Sequence, residues 1–280
     1  MTDYLDFKVD LEAPEIADAF DDFTFWSSIF GNLLFRHLHL TPRIAALDVG
    51  CGTGFPLLEL ADRLGPTSTV HGIDSWAQAV ARARRKASVR GNTSVHVTHG
   101  DAAKMPYDDG SFDLIVSNLG VNNFEAPAVV MAECRRVSKP EGRIALTTNL
   151  AGHMSEFYQV YEQALMDTGQ SHLVDALRHH QAHRATVKGL HALLSDGGFQ
   201  VTGSHTDTFT LRYADGSAFL RAYLSKLGFL DGWRSVLRGT GREVATFEEI
   251  EARLNHQARR GNSGLSLSIP AAYVEGRKSP

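Results

Sequence analysis

Cysteine is nearly missing from this sequence. Cys51 and Cys134 serve a chain of 280 residues. Neither has a C-x-x-C partner, so no disulfide framework and no thiolate metal site can be built from them. That scarcity points to a reducing compartment, and a cytoplasmic protein is expected. Long apolar runs are missing as well. No stretch of about 18 apolar residues occurs, so no membrane span is expected. The acidic opening, Met1 to Asp6, lacks the basic-then-apolar pattern of a secretory leader. Nor is there a basic surplus. Twenty-eight Lys and Arg stand against 32 Asp and Glu, a formal net charge of −4, which argues against a dedicated nucleic-acid binder. Internal repeats and low-complexity tracts are absent. What remains is ordinary globular material, 43% hydrophobic and 21% charged, enough for one α/β domain with additions or two small domains.

The most informative stretch is Leu47-Asp48-Val49-Gly50-Cys51-Gly52-Thr53-Gly54. An apolar strand runs into it from Ile44. A helix starts after it, over residues 55–64, with Pro56 suited to the first helical position. Strand, glycine turn and helix let backbone pass close to a ligand, since glycine has no Cβ and tolerates positive φ. The dinucleotide fingerprint needs a glycine at the sixth position from Gly50, and that position is Phe55. Asp48 would place negative charge near the loop, suiting a cationic ligand better than a pyrophosphate. Asp74 closes the second apolar run, Val70 to Ile73, where a carboxylate can take both hydroxyls of a ribose.

Four stretches in order, LDVGCGTG, GIDSW, GDAAKMPYDDGSFDLIVSN and VSKPEGRIALT, resemble the class I S-adenosylmethionine-dependent methyltransferases. The branch most similar is that of the ubiquinone/menaquinone C-methyltransferases with a type 11 methyltransferase domain. The likeness is good over residues 44–150 and loose over 186–276. It implies an α/β fold, a Rossmann-like, doubly wound, seven-stranded and mostly parallel sheet, with S-adenosyl-L-methionine as cofactor. By the same resemblance Asp48, Gly50, Gly52, Gly54, Asp74, Ser75, Trp76, Asp101, Ala102 and Asn118 bind that cofactor. Asp101 would cap the adenine amino group and the Ala102 N–H would meet a ring nitrogen. Met105 and Pro106 would wall the ring. The N/D-P-P-Y motif of amino-directed members is replaced by Asn118-Leu119-Gly120-Val121, which weakens an adenine or glutamine acceptor.

The rest of the chain divides around that frame. Residues 1–43 are read as a polar lead-in followed by a cap helix that is rich in Phe20, Phe23, Phe25, Trp26, Ile29, Phe30, Leu33, Leu34 and Phe35, and in which the spacing Trp26, Ile29/Phe30, Leu33/Leu34 fits a helical face. That face either packs on the sheet or closes over the ligand. Residues 44–280 form the cofactor domain, with helical insertions at 150–185 and 213–262 that would build a lid. Strands are predicted at 44–48, 70–74, 94–99, 111–118, 143–148, 199–211 and 265–274, with Lys139 to Gly142 as a turn and Ser263-Gly264 leading into the last. Arg82, Arg84, Arg85 and Lys86 read as a solvated helix face.

Methyl transfer is an in-line displacement in which positioning does most of the work, so the cofactor fold fixes no catalytic residue. Candidates on the acceptor side are Asn122, Tyr158 and His180, with Asn123, His153 and Glu156 beside them. Asn122 and Asn123 equally suit a turn whose backbone groups they would satisfy. His179 and His183 have metal-capable spacing but no third ligand nearby, and no metal is expected. The expected activity is methyl transfer to a small-molecule acceptor under the lid, without nucleic-acid or membrane partners, with a homodimer left open. Two other readings stand beside it. One is a non-methylating or repurposed S-adenosylmethionine-binding protein, pericyclic or decarboxylating. The other is a nicotinamide-dependent oxidoreductase.

Overall fold

The computed structural model describes residues 2–21, 24–260 and 264–279. Phe23 and Ser263, placed above in the cap helix and the lead to the last strand, lie outside the described residues. The helices are α1 (Pro14–Asp21), α2 (Thr24–His37), α3 (Leu57–Leu64), α4 (Ala77–Val89), α5 (Pro127–Val137), α6 (Ser155–Asp167), α7 (Val174–Ala182), α8 (Val187–Asp196), α9 (Gly216–Arg221), α10 (Tyr223–Gly228), α11 (Leu230–Ser235) and α12 (Glu243–Arg260). The strands are β1 (Ala45–Val49), β2 (Thr69–Asp74), β3 (Val95–His99), β4 (Phe112–Asn118), β5 (Ser138–Asn149), β6 (Phe199–Tyr213) and β7 (Leu265–Lys278). They form one seven-stranded sheet in the order β3-β2-β1-β4-β5-β7-β6. β1 pairs in parallel with β2 and β4, and β7 runs antiparallel to β5. The expected α/β, doubly wound, mostly parallel architecture is therefore present.

The chain divides into two compact units. The larger holds Asp10–Asn149, Ala185–Asp207 and Ala271–Pro280. Its central strands are buried on both faces, as parallel strands are when helices cover both sides. Leu114, Ile115 and Val116 are all fully buried. α3 turns Leu57, Leu58, Leu60, Ala61 and Leu64 inward, a spacing of three and four that matches the helical period.

Several boundaries differ from the sequence reading, each for a local reason. Residues 139–142 do not form a separate turn. They are an irregularity inside β5, whose register against β4 jumps from Phe112↔Ser138 to Leu114↔Arg143, and Glu141 takes φ 62 there. Pro56 caps α3 from outside instead of opening it. The lead-in is more ordered than its polar composition suggests, because α1 is held by ion pairs. Asp21 accepts from Lys86 at 2.6 Å and from Arg82 at 3.0 Å, and Asp18 lies 3.2 Å from Arg82. Part of the supposedly solvated basic face of α4 is thus the seat of α1.

The smaller unit holds Met1–Val9, Leu150–Arg184 and Thr208–Pro270. Its core is aromatic. Trp233, Phe157, Tyr161, Phe219 and Phe247 are buried. The Phe157 and Trp233 rings lie 4.3 Å apart, and Tyr161 donates to the Trp233 carbonyl at 2.8 Å. Among the described residues no helix is long and apolar enough to cross a membrane.

Candidate active site

A cavity of about 840 Å³ opens within the larger unit, at the carboxyl ends of β1, β2 and β4. Open α/β sheets bind ligands at this place. Its floor is the glycine turn after β1. Gly50 and Gly52 have φ of +78 and +49, values at which a side chain is strained. A Cβ on Gly52 would meet nothing within 4 Å, so the backbone there faces open space. The Gly52 N–H donates to one Asp74 carboxylate oxygen at 2.8 Å, and the Trp76 N–H donates to the other at 2.8 Å. These bonds fix the carboxylate at the tip of β2 while leaving lone pairs on both oxygens. Burial pushes the Asp74 carboxyl up, and the two N–H donors act against it.

The walls are aromatic. Phe20, Trp26, Phe55, Trp76 and Phe124 all line the cavity. Trp76 meets Phe20 edge-on at 5.4 Å, and its Nε1 donates to the Leu11 carbonyl at 2.7 Å. α2 approaches closely at Gly31, where a Cβ would sit 2.3 Å from the Phe55 ring. On the β3 side, Gly100, Asp101, Ala102 and Ala103 line the cavity, and Asp101 accepts from the Ala103 N–H at 2.8 Å. On the β4 side, Leu119 adopts φ 69, a left-handed conformation rare outside glycine and often found at working sites. Three carboxylates, Asp74, Asp101 and Glu125, belong to the lining; among the described lining residues there is no Lys, Arg or His.

The residues singled out in the sequence divide three ways. Gly50, Gly52, Asp74, Ser75, Trp76, Asp101, Ala102 and Asn118 line the cavity together. Asn118 is also a structural fastener, donating to the Ser27 carbonyl at 3.1 Å and accepting from Thr147 at 2.8 Å. Asp48 and Gly54 are not lining residues. A Cβ on Gly54 would lie 3.2 Å from Leu58 and 3.3 Å from Ala83, so this glycine lets the two following helices pack. Asp48 is fully buried, and neither of its oxygens has a hydrogen-bond partner among the described residues. Burial, and secondarily the nearby Asp74 charge, push its pKa up to about 8. Burial thus works against the negative charge expected beside the loop, with the Leu57 backbone acting the other way.

Asn122 lies off the cavity. Its Nδ2 donates to Asn149 at 3.0 Å and its Oδ1 accepts from the Ala185 N–H at 3.3 Å. Asn123 does line the cavity, while Met105 is buried outside it. Tyr158 and His180 belong to the smaller unit, their rings 6.2 Å apart. Burial raises the Tyr158 phenol, against which the bond from Trp233 acts, and burial lowers His180 to about 4. Glu156 is engaged by the Ser268 N–H at 3.0 Å. Among the described residues no three His, Cys, Asp or Glu side chains converge as a metal site. Leu119 and Phe124 belong to the loop after β4 that the order of the motifs points to the ligand, and both line the cavity. Leu11, Ser27 and Phe55 escaped the sequence reading as site residues, and of these only Phe55 carried a signal, as a large apolar residue flanking the glycine turn.

Known proteins place this geometry. The sequence model of a family described as a methyltransferase domain matches residues 40–197. The nocamycin O-methyltransferase of Saccharothrix syringae is 30% identical over 251 residues, covering 85% of this chain and 87% of that one. A demethylmenaquinone methyltransferase of Shouchella clausii is 34% identical over 117 residues, covering 42% of this chain and 50% of the relative. A crystal structure of a putative methyltransferase from Bacillus halodurans superposes with a TM-score of 0.58 at 19% identity, covering 89% of this chain and 99% of that one. With the family match spanning more than half of the chain and one relative similar over most of both lengths, this protein belongs to the methyltransferase-domain family and is a methyltransferase.

Proposed function

We propose that the protein transfers a methyl group from S-adenosylmethionine to an oxygen of a small molecule. The observation that carries this reading is the cavity itself: bare glycine backbone, a fixed carboxylate at the β2 tip, aromatic walls, three acidic residues and no described base. Aromatic faces and carboxylates suit a sulfonium cation. A pyrophosphate would ask for the opposite charge, which speaks against a nicotinamide dinucleotide.

In this reading the lone pairs left on Asp74 take the ribose hydroxyls. Gly50 and Gly52 let the methionyl tail lie against the loop. Asp101 and the Ala102 N–H meet the purine edge, between the apolar walls. Ser75, Trp76 and Asn118 complete the enclosure. Gly54 and buried Asp48 shape the loop from beneath. When bound, the cofactor supplies a methyl carbon whose bond to sulfur breaks, the electron pair going to sulfur, as the bond to the acceptor forms. The chain's own contribution is alignment and exclusion of water, worth up to ~7–11 kcal/mol in the best-oriented reactions.

Support for oxygen as the acceptor atom comes from the S. syringae relative, whose match extends over 85% of this chain. That relative's name specifies oxygen as the atom methylated.

Calorimetric titration with S-adenosylhomocysteine tests the cofactor assignment, and release of S-adenosylhomocysteine on a panel of hydroxyl and carboxyl acceptors tests the reaction. Tight binding with acceptor-dependent release is expected. Binding of NADH with no binding of S-adenosylhomocysteine would overturn it.

A further inference from the structure

Within the larger unit, the strand order reverses between β1 and β4. β1 has β2 on one side and β4 on the other, and open α/β sheets take their ligands in the crevice at such a point. Two glycines face each other there. A Cβ on Gly50 would come within 3.5 Å of the Gly120 Cα, and a Cβ on Gly120 would lie 3.1 Å from the Val49 carbonyl. Ser117 Oγ donates to that same carbonyl at 2.7 Å and ties the two strand ends together. The Phe124 ring lies across both glycines. It would be 3.1 Å from a Cβ on Gly120 and 3.9 Å from one on Gly50. Bare backbone on both strands thus gives the ring its seat, at the edge of the cavity that it lines.

Phe124 differs from the other rings of the wall. Trp76 is tied to Leu11 and Phe20, Trp26 meets Phe30 edge-on at 5.0 Å, and Phe55 lies against Gly31. Each of these joins one element to another. Phe124 meets no other aromatic ring and no cation among the described residues. Yet the turn that presents it is firmly fastened. The Leu119 N–H donates to the Thr147 carbonyl at 2.7 Å, and the Asn123 N–H to the Gly120 carbonyl at 2.8 Å. Asn123 Nδ2 donates to the Leu119 carbonyl at 3.2 Å. Within this turn Leu119 holds its left-handed φ of 69. Strain of this kind persists only where the surroundings enforce it, and it gathers at ligand clamps. What the strained turn presents here is a ring with one side unclaimed.

We propose that Phe124 recognises the positive charge of the cofactor, its ring meeting the sulfonium and the methyl group at the crevice between β1 and β4. This rests on the S-adenosylmethionine reading and deepens it. With the ribose on Asp74 and the methionyl tail on Gly50 and Gly52, the sulfur joins the two and comes to the crevice that the ring covers. The face of an aromatic ring carries negative potential and attracts a cation. A neutral thioether also packs well on such a ring, but without that added attraction. Phe124 is then a determinant of specificity: it favours the charged methyl donor over the product left after transfer, and it does so by contact, where the carboxylates of the wall act at longer range.

The test uses the full chain at high ionic strength, where the share of the carboxylates is screened. Calorimetry compares two cationic probes, S-adenosylmethionine and sinefungin, whose ammonium stands in place of the sulfonium, with neutral S-adenosylhomocysteine. Phe124→Leu keeps apolar bulk and removes the ring. It should weaken both cations by about threefold to thirtyfold and S-adenosylhomocysteine by clearly less, so that the preference for charge falls. Phe124→Tyr keeps a ring and should keep the preference. Equal weakening of all three probes by Phe124→Leu would show a role in bulk alone and overturn the proposal, and unchanged affinities would do the same. A second measurement needs no variant. The isotopically labelled methyl group of S-adenosylmethionine bound to the parent protein is followed by NMR, and the ring should shift its proton signal upfield. An unshifted signal would overturn the contact even if Phe124→Leu fails to fold. Should S-adenosylhomocysteine bind while the methyl signal stays unshifted, the role of Phe124 falls alone; should it not bind the parent at all, the cofactor reading falls first.

Discussion

Asp48 and Asp74 end neighbouring parallel strands, yet only Asp74 reaches the cavity. Replacing Asp74 with Ala removes the anchor of the Gly52 and Trp76 N–H groups and should weaken S-adenosylhomocysteine by about 1–3 kcal/mol, the usual effect of losing one partner of a charged hydrogen bond. Calorimetry on a folded variant checks this, and an unchanged affinity would remove Asp74 from the site. Asp48 makes a different prediction. Its folded pKa of about 8 lies above its ordinary 3.8. Between those values the folded protein holds a proton that the unfolded chain has released. Stability contributed by this group is therefore present at low pH and lost as pH rises through that window, by up to ~1.4 kcal/mol per pH unit. Asp48→Asn should remove that slope and be more stable than the parent at the alkaline end. Urea unfolding of both proteins across the window decides it; parallel curves would refute the assignment. The acid two positions ahead of a glycine at Asp48, and the acid closing an apolar run at Asp74, were both legible in the sequence. That one lines the cavity and the other is sealed beneath the loop depends on how the backbone folds over each, and pattern does not carry that.

Strands and the glycine turn were readable because their signal is local: apolar runs of strand length, bounded by glycine and aspartate. α1 was not readable, because its stability comes from α4, some sixty residues away in sequence. A short acidic stretch looks like a solvated lead-in until Arg82 and Lys86 are seen to hold it. The burial of Asp21 raises its carboxyl, but the bonds from Lys86 and Arg82 outweigh that and keep it below the ordinary carboxylate range. Through this clasp α1 brings Phe20 to the cavity wall. Asp21→Ala should destabilise the protein by roughly 1–3 kcal/mol and weaken S-adenosylhomocysteine several-fold, with the second effect read by tryptophan fluorescence. A variant that is destabilised but binds normally would separate α1 from the site. Asn122 illustrates the converse error. It had the right residue type at the right loop, and its amide is used up holding Asn149 and Ala185.

At the scale of the molecule, neither unit is one continuous piece of chain. The helical unit collects three stretches, and at its core Trp233 is fully buried, contacts Phe157 at 4.3 Å and donates from Nε1 to Tyr158 at 3.2 Å. Trp233→Ala should cost about 3–5 kcal/mol, as large-to-small changes in aromatic cores do, and should move the Tyr158 and His180 signals. A loss below about 1 kcal/mol would mean that this core is far looser than its packing indicates. The larger unit has a different global property, the one-signed charge of its cavity. In the proposed reaction the nucleoside arrives as a cation and departs with its sulfur neutral. Walls bearing Asp74, Asp101 and Glu125, and no described base, grip the first more firmly than the second. On the proposed reading the pocket would distinguish fresh from spent reagent by a single unit of charge, easing the exchange that each new cycle requires. Because salt weakens such attraction, added electrolyte should shrink that preference and leave the enzyme more prone to inhibition by its own by-product.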